Sequence, residues 1–431
     1  QTCALPIFVY GAFTKGLVMR IVCIPYTHTL SHISRPLAVA SELRQRGHTV
    51  IFAGDSDHDH FIRDLDFEVL PLYQVGPETL FGRIRDGKLQ FVNDAELQKK
   101  VTADLELYRQ VKPDLILTDG LFSAPISAGI SKINHAAIVN VSSTSYRALP
   151  YIPFFDWLPG SQGVRSTNMW TCLDRFNLWL EMLVFDNAAR IFKTLSNEHA
   201  LHRTVTATNC LTGNELTLLA DTEEYFPTRN LPENYHYIGP LTWKSPIPPP
   251  AWWPPERKGN LLIYITMGTT WMGGSFSMLY DLVREHQITA VIATGGQAKE
   301  LEKQGLASVE GLIYVEDFVD GDLMMGECDL VVCHGGNGTI YQALQQGKPI
   351  IGIPTIPDQE FNMRRVKALG VGESMALKDL SDNPQKLFQL VAKVASNPEY
   401  LENAQKFKEK LSKLKPAEKA ADLIDKTFRI D

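Results

Sequence analysis

The chain has 431 residues, 42 Lys+Arg against 49 Asp+Glu, and a formal net charge of −7. With no basic excess to hold a phosphate backbone by counterion release, nucleic-acid binding of that kind is excluded. A 44% hydrophobic, 21% charged composition is that of a globular chain, long enough for two or three domains, and it holds no apolar run of about 18 residues that would span a membrane.

Residues 1–18 precede a Met19-Arg20 pair that opens a strand. They lack a basic start followed by an apolar stretch and a small-residue cleavage site, so they read as a non-native or disordered leader. A strand is predicted over 20–26 and a helix over 35–46, where Leu37, Ala40 and Leu43 recur at helical spacing before Gly47. Strands follow over 49–53 and 68–71, a helix over 94–111, and strands over 114–118 and 136–141. Such alternation of continuous apolar strands with helices predicts an α/β chain with parallel, doubly wound sheets. Residues 146–195 break the rhythm and are rich in aromatics; they read as a core helix pair, with an apolar acceptor pocket or a membrane-facing patch as the competing uses. Phe122, Tyr146, Phe154, Phe155 and Trp157 are the candidates for acceptor contact.

A proline-dense strap over 241–258 cannot run through a sheet and reads as a linker. The rhythm then restarts, with strands over 261–266, 289–293, 312–315, 329–333 and 349–354, and an amphipathic helix over 402–428. Two Rossmann-like halves imply a ligand in the crevice beyond the carboxyl ends of the strands. Cys3, Cys23, Cys172, Cys210, Cys328 and Cys333 form no CxxC pair and read as free thiols in a reducing, cytoplasmic setting.

The strongest local signal is Asp329-Leu-Val-Val-Cys-His334-Gly335-Gly336-Asn337-Gly338-Thr339, a buried strand running through a glycine-rich turn into a helix. Such a turn points backbone N–H groups at an anion; the competing reading is a tight turn with no ligand. Asp358-Gln359 follows 24 residues after His334. An acid beside an amide suits sugar hydroxyls, or simply caps a helix.

Together these segments resemble the donor signature of GT-B, family 1 nucleotide-sugar glycosyltransferases. Ser31-His32-Ile-Ser-Arg35 is similar to that family's Gly-His-x-x-Arg motif, Pro113-Asp-Leu-Ile-Leu-Thr-Asp119 to the strand presenting its catalytic aspartate, Gly239-Pro240-Leu to the start of its hinge, and Met267-Gly-Thr-Thr270 to its second phosphate loop. The resemblance implies a GT-B fold, two Rossmann-like domains with parallel sheets facing each other across a cleft. It divides the chain into an acceptor domain over 19–240, a linker over 241–258, a nucleotide-sugar domain over 259–400, and a tail over 401–431 that crosses back to the first domain. It also implies that His334, Gly336, Asn337, Gly338 and Thr339 hold the diphosphate, with hydroxyls from Thr269 and Thr270. Phe318 then lies near the base, Gln342 where many members carry a ribose-binding glutamate, and Asp358 and Gln359 on the sugar. Three positions depart from the pattern: Ser31 for glycine, Asp320-Gly321 for Pro-Gln, and Gln342 for glutamate.

The expected chemistry follows. Histidine is the side chain suited to taking a hydroxyl proton at neutral pH. His32 is the candidate base and Asp119 its orienting carboxylate, while the helix end and His334 meet the departing diphosphate without a metal. His28, on the same loop, is the rival base; His48 reads as structural. The run Asp55-Ser-Asp57-His-Asp59-His60 resembles a metal cluster but reads better as a capped acidic loop.

The leading expectation is an inverting glycosyltransferase. It would use a UDP- or dTDP-sugar as co-substrate, no further cofactor, and a small apolar acceptor such as a polyphenol or flavonoid, a macrolide or a sterol. A peripheral membrane enzyme acting on a lipid or lipid-linked acceptor, and a non-catalytic sugar-nucleotide binder, are the alternatives. A nicotinamide oxidoreductase is disfavoured because Thr27-His-Thr-Leu-Ser-His32 replaces Gly-x-Gly-x-x-Gly after the first strand.

Overall fold

The computed structural model describes residues 18–152, 168–242, 244, 247–257, 261–268 and 276–428. Two wholly parallel sheets organise them. In the first, β1 (Arg20–Pro25), β2 (Thr49–Gly54), β3 (Val69–Pro71), β4 (Leu115–Asp119), β5 (Asn134–Val139), β6 (Leu216–Leu219) and β7 (Tyr235–Tyr237) lie in the order β3-β2-β1-β4-β5-β6-β7. In the second, β8 (Leu262–Thr266), β9 (Thr289–Ala293), β10 (Ile313–Glu316), β11 (Leu330–Cys333), β12 (Ile350–Gly352) and β13 (Gly372–Ser374) are ordered β10-β9-β8-β11-β12-β13.

The central strands carry Ile, Val and Leu at successive positions because helices cover both faces. Ile21, Val22, Ile24, Leu115, Ile116 and Leu117 have no exposed area. In both sheets the strand order reverses beside the first strand, between β1 and β4 and between β8 and β11. Those are the switch points where a parallel sheet opens a crevice, and the chain places His32 and Asp119 at one, His334 and Gly268 at the other. The buried thiols of Cys210, Cys328 and Cys333 are pushed up to about 12 by desolvation, whereas Cys172 is exposed.

Several expectations change. The helix predicted to open at residue 35 begins at Leu30 (Leu30–Gln45), so His32 lies in its first turn and not on a loop; Pro36 is tolerated within the helix. β6, β7 and β13 are not among the predicted strands; they are three or four residues long, but so are β3 and β12, which the sequence does mark. The single tail helix is two, Pro398–Leu411 and Pro416–Phe428, because Pro416 cannot continue the first and opens the second.

The second tail helix packs on the first sheet's side of the molecule. Arg46 donates to Asp422 at 2.7 Å and to Asp425 at 3.0 Å, and His48 Nε2 meets Asp425 Oδ1 at 2.9 Å. Ala420, Ala421, Ile424 and Phe428 join the same core as Ile21, Leu43 and Leu117. Ile424→Ala is therefore expected to cost about 3 kcal/mol, as a buried large-to-small change does; urea unfolding followed by a first-domain probe would show it, and no loss would mean the helix is only loosely docked.

Candidate active site

His32 is held from one side. Its Nδ1 lies 2.6 Å from Asp119 Oδ1. The carboxylate only accepts, so a proton on Nδ1 would complete this bond and leave Nε2 basic, while Arg35 Nη2, a donor, lies 3.0 Å from the same Nδ1. Asp119 closes β4 and its side chain is wholly buried; the His32 side chain keeps 30% of its surface open. Gly120 follows at φ +71°, and a Cβ there would sit 3.0 Å from the His32 ring, so only glycine lets the imidazole lie over the strand end.

Arg35, buried in the next turn, grips the same carboxylate with two bonds, Nε to Oδ2 at 2.7 Å and Nη2 to Oδ1 at 2.5 Å. A bidentate clamp of this kind fixes the carboxylate plane that orients the imidazole. His28 has no carboxylate hydrogen bond among the described residues. Its ring packs edge-on against Tyr26, it borders a cavity with Asp55 and Asp57, and burial lowers its pKa.

Across the crevice, β11 delivers His334 into the turn that opens helix Asn337–Gln345. Gly335 has φ +84°. Cβ atoms at Gly268 or Gly336 would fall 2.7 and 2.5 Å from the His334 ring. Glycines thus wrap the imidazole, and the helix starts at Gly336 with no side-chain cap, leaving its amides for a ligand. Burial pushes His334 down to about 4, so it offers a neutral N–H dipole and no positive charge. Its Nδ1 is buried without a hydrogen-bond partner, an orphan of the kind an anionic oxygen would satisfy.

The remaining expected donor residues divide. Gly338 faces the helix that follows β1: a Cβ there would lie 4.0 Å from Ser31 Cβ. Thr339 is half-buried and Phe318 is 44% exposed beside Gly296. Gln342 bonds Asp322, whose carboxyl burial and Asp320 push up to about 6. Asp358, raised by burial, accepts from Ser142 Oγ and Asn362 Nδ2 at 3.4 Å each. Gln359 is buried and spends its amide oxygen on Thr355, at 2.8 and 3.0 Å, which leaves only its NH2 for a sugar. Asn337 turns its side chain away from the turn and donates to Asp221 at 3.0 Å. Thr269 and Thr270 lie outside the described residues.

A buried network that sequence reading missed joins the two sides. Arg35 Nη1 donates to Asn140 at 2.6 Å, Asn140 Nδ2 to Asp221 Oδ2 at 3.3 Å, and Asn337 to Asp221 Oδ1. Asp221 also accepts the Val141 amide at 2.7 Å, and burial raises its pKa. The same contact zone contains Thr222 N to Tyr341 Oη at 3.0 Å and Arg365 Nε to the Tyr225 carbonyl at 2.6 Å.

Of the expected acceptor residues, one is corrected. Phe122 is core: it lies edge-on between Phe91 and Phe192, at 5.8 and 6.5 Å, and is 6% exposed. Tyr146 packs edge-on against Tyr235 at 5.0 Å and borders a cavity of about 310 Å³. Phe154, Phe155 and Trp157 lie outside the described residues. The aromatic stretch does form a helix pair, Asn168–Ala188 and Ile191–Glu198, but Phe176 and Trp179 are exposed and not core. In the acidic run, Ser56 and Asp59 cap each other around the turn Asp57–Asp59, and among the described residues no three His, Cys, Asp or Glu gather to hold a metal.

A family model described as "Erythromycin biosynthesis protein CIII-like, C-terminal domain" matches residues 287–426. The chain is 28% identical over 393 residues to a PGL/p-HBAD biosynthesis glycosyltransferase of Mycobacterium tuberculosis (strain ATCC 25177 / H37Ra), covering 90% of this chain and 88% of that one. It is 29% identical over 388 residues to a PGL/p-HBAD biosynthesis rhamnosyltransferase of Mycobacterium bovis (strain BCG / Pasteur 1173P2), covering 89% and 82%. With a relative in the same strain named an inactive PGL/p-HBAD biosynthesis glycosyltransferase it shares 30% over 254 residues, 58% of this chain and 67% of that one. Among solved structures, the kitacinnamycin glycosyltransferase superposes with TM-score 0.69 at 18% identity over 95% and 99% of the two chains. The spinosyn rhamnosyltransferase SpnG gives 0.68 at 18% over 94% and 100%.

Proposed function

The chain belongs to the GT1-like glycosyltransferases of GT-B fold, and from that premise we propose that it is an inverting enzyme using His32 as base. The donor is a UDP- or dTDP-sugar whose diphosphate lies on the amides of Gly336–Thr339 and the His334 N–H. The acceptor is a hydroxyl of a small apolar molecule such as a polyphenol, a macrolide or a sterol. Its oxygen attacks the anomeric carbon as the bond to the diphosphate breaks; the proton passes to His32 Nε2 and the electron pair leaves on the diphosphate oxygen.

Asp119 holds the imidazole in the required tautomer and stabilises the imidazolium, and Arg35 fixes Asp119. Asp358 and the Gln359 amide hold sugar hydroxyls. The leaving charge is met by fixed dipoles at the helix end, so the reading assigns no part to a metal ion, and turnover should survive a chelator.

One observation carries this reading: the Asp119–His32 pair at 2.6 Å, with its neighbour Ser31 set against Gly338 of the phosphate turn. Two structures of similar fold, the glycosyltransferase VinC and the rhamnosyltransferase SpnG, are complexes with thymidine diphosphate, which favours trying dTDP-sugars first.

The test is a thermal-shift screen of nucleoside diphosphates, followed by turnover with matching sugars and an apolar acceptor panel. A diphosphate at about 100 times its Kd should stabilise the fold by about 2.7 kcal/mol, and His334→Ala should weaken that binding about tenfold or more. A His334→Ala protein that still binds at full strength would remove residue 334 from the donor site, and absence of transfer to any apolar hydroxyl would remove the acceptor class.

A further inference from the structure

Helix Asn168–Ala188 is polarised in reverse for a surface helix. Asp174, Asn177 and Glu181 share one face, at i, i+3 and i+7, and are 7%, 1% and 1% exposed. Glu181 pairs with Arg147 and accepts the backbone amides of Tyr151 and Ile152 at 2.9 and 3.2 Å; Asn177 donates to the Ile152 carbonyl at 2.9 Å. The other face shows water Phe176, Trp179 and Leu183, at 52%, 59% and 45% exposure. A helix normally turns its apolar stripe to the core. A stripe held outward while the polar face is buried and bonded, with only Asn177 Oδ1 and Arg147 Nε of these groups left without a partner, marks a surface meant to be covered.

Charge selects what covers it. The third acid of this helix, Asp186, is turned back onto Thr208, accepting its amide at 3.0 Å. Between residues 172 and 194 every exposed charged side chain is a cation: Arg175, Arg190 and Lys193. Beside the stripe, Arg175 and Leu178 of the same helix join Tyr146, Arg147 and Arg229 around the cavity of about 310 Å³. Arg175 and Arg229 form no ion pair among the described residues. The combination of an indole, branched aliphatics and arginines without exposed acids suits the headgroup level of an anionic bilayer. There apolar side chains enter the acyl boundary and guanidinium groups take phosphates. A protein of net charge −7 has no general attraction to such a surface, so contact must be local to this face.

We propose that this helix face docks the protein on an anionic lipid bilayer, with the stripe in the interface and the arginine-lined cavity on a lipid phosphate. No described helix is long and apolar enough to cross a membrane, so the contact is peripheral. It goes beyond the transfer reaction and does not depend on it.

The test is flotation of the full chain with vesicles of phosphatidylcholine alone or mixed with phosphatidylglycerol. Binding is expected on the anionic vesicles, about tenfold or more weaker on the neutral ones and in high salt. Trp179→Ser combined with Leu183→Ser, and separately Arg175→Glu, should each lower partitioning about tenfold, with Tm unchanged because these side chains are exposed. Equal flotation on both vesicle types, or variants that float like the parent, would overturn the proposal. So would light scattering that shows a parent dimer made monomeric by the serine pair, since the face would then be an interface between copies of this chain.

Discussion

Asp119→Asn is expected to lower kcat on the order of 10³–10⁴-fold while leaving the donor Kd nearly unchanged. An asparagine amide can present its NH2 to His32, which reverses the tautomer: Nε2 then carries the proton and the nitrogen facing the crevice is no longer basic. The same change takes the negative charge from Arg35, which is 7% exposed and bonded to Asp119 through both Nε and Nη2, so some loss of stability should accompany it. His32→Gln separates the two effects. It leaves the Arg35–Asp119 pair in place, should keep Tm and nucleoside-diphosphate binding, and should lose the same factor in kcat. Single-turnover rates with saturating donor would check both. A His32→Gln enzyme within about tenfold of the parent would mean the proton goes elsewhere, and His28 would be the next residue to replace.

The second large effect is acid destabilisation through buried imidazoles. His135 has no exposed area, bonds Thr118 Oγ1 at 2.8 Å, and is pushed down to about 3 by desolvation; His334 is pushed down to about 4. In the unfolded chain both titrate near 6.5. Below that pH the unfolded state binds protons that the native state refuses. Stability present above about 6.5 is therefore lost as pH falls toward 4, at about 1.4 kcal/mol per pH unit for each group. Asp221 and Asp358, which burial raises, act in the opposite sense over part of this range. The slope must therefore be assigned by substitution. His135→Gln should flatten the plot of unfolding free energy against pH by about 1.4 kcal/mol per unit between roughly 6.5 and 4, whatever it does to stability at pH 7. Parallel plots would show that His135 is protonated in the native protein.

What the sequence reveals depends on how local the cause is. The helix Asp94–Val111 is legible to the residue because its stops are its own: Asn93 and Glu96 form a capping box, and Lys112 turns left-handed at the end. β9 is likewise found where predicted, since its five residues are all buried. The meeting of His32 with Asp119 is also foreseeable, because each follows or ends a strand and β1 pairs with β4. The Arg35–Asn140–Asp221–Asn337 network is not. Arg35 and Asp119 are 84 residues apart and Asp221 and Asn337 are 116 apart, and Asp221 follows β6, a strand not among those predicted. Helix Asn168–Ala188 shows a different limit. Periodicity tells which side chains share a face, but the burial of that face is decided by Arg147 and the amides of Tyr151 and Ile152.

The tail helix Pro416–Phe428 also bears on synthesis. A ribosome makes the amino-terminal sheet first, yet that sheet's core includes Ala420, Ala421, Ile424 and Phe428, which emerge only after the second sheet. A nascent chain ending before the linker can form the strands but leaves that apolar side uncovered. The sheet that is translated earliest is thus completed only after the second has been made, and emergence of residues 416–428 is the event that seals it.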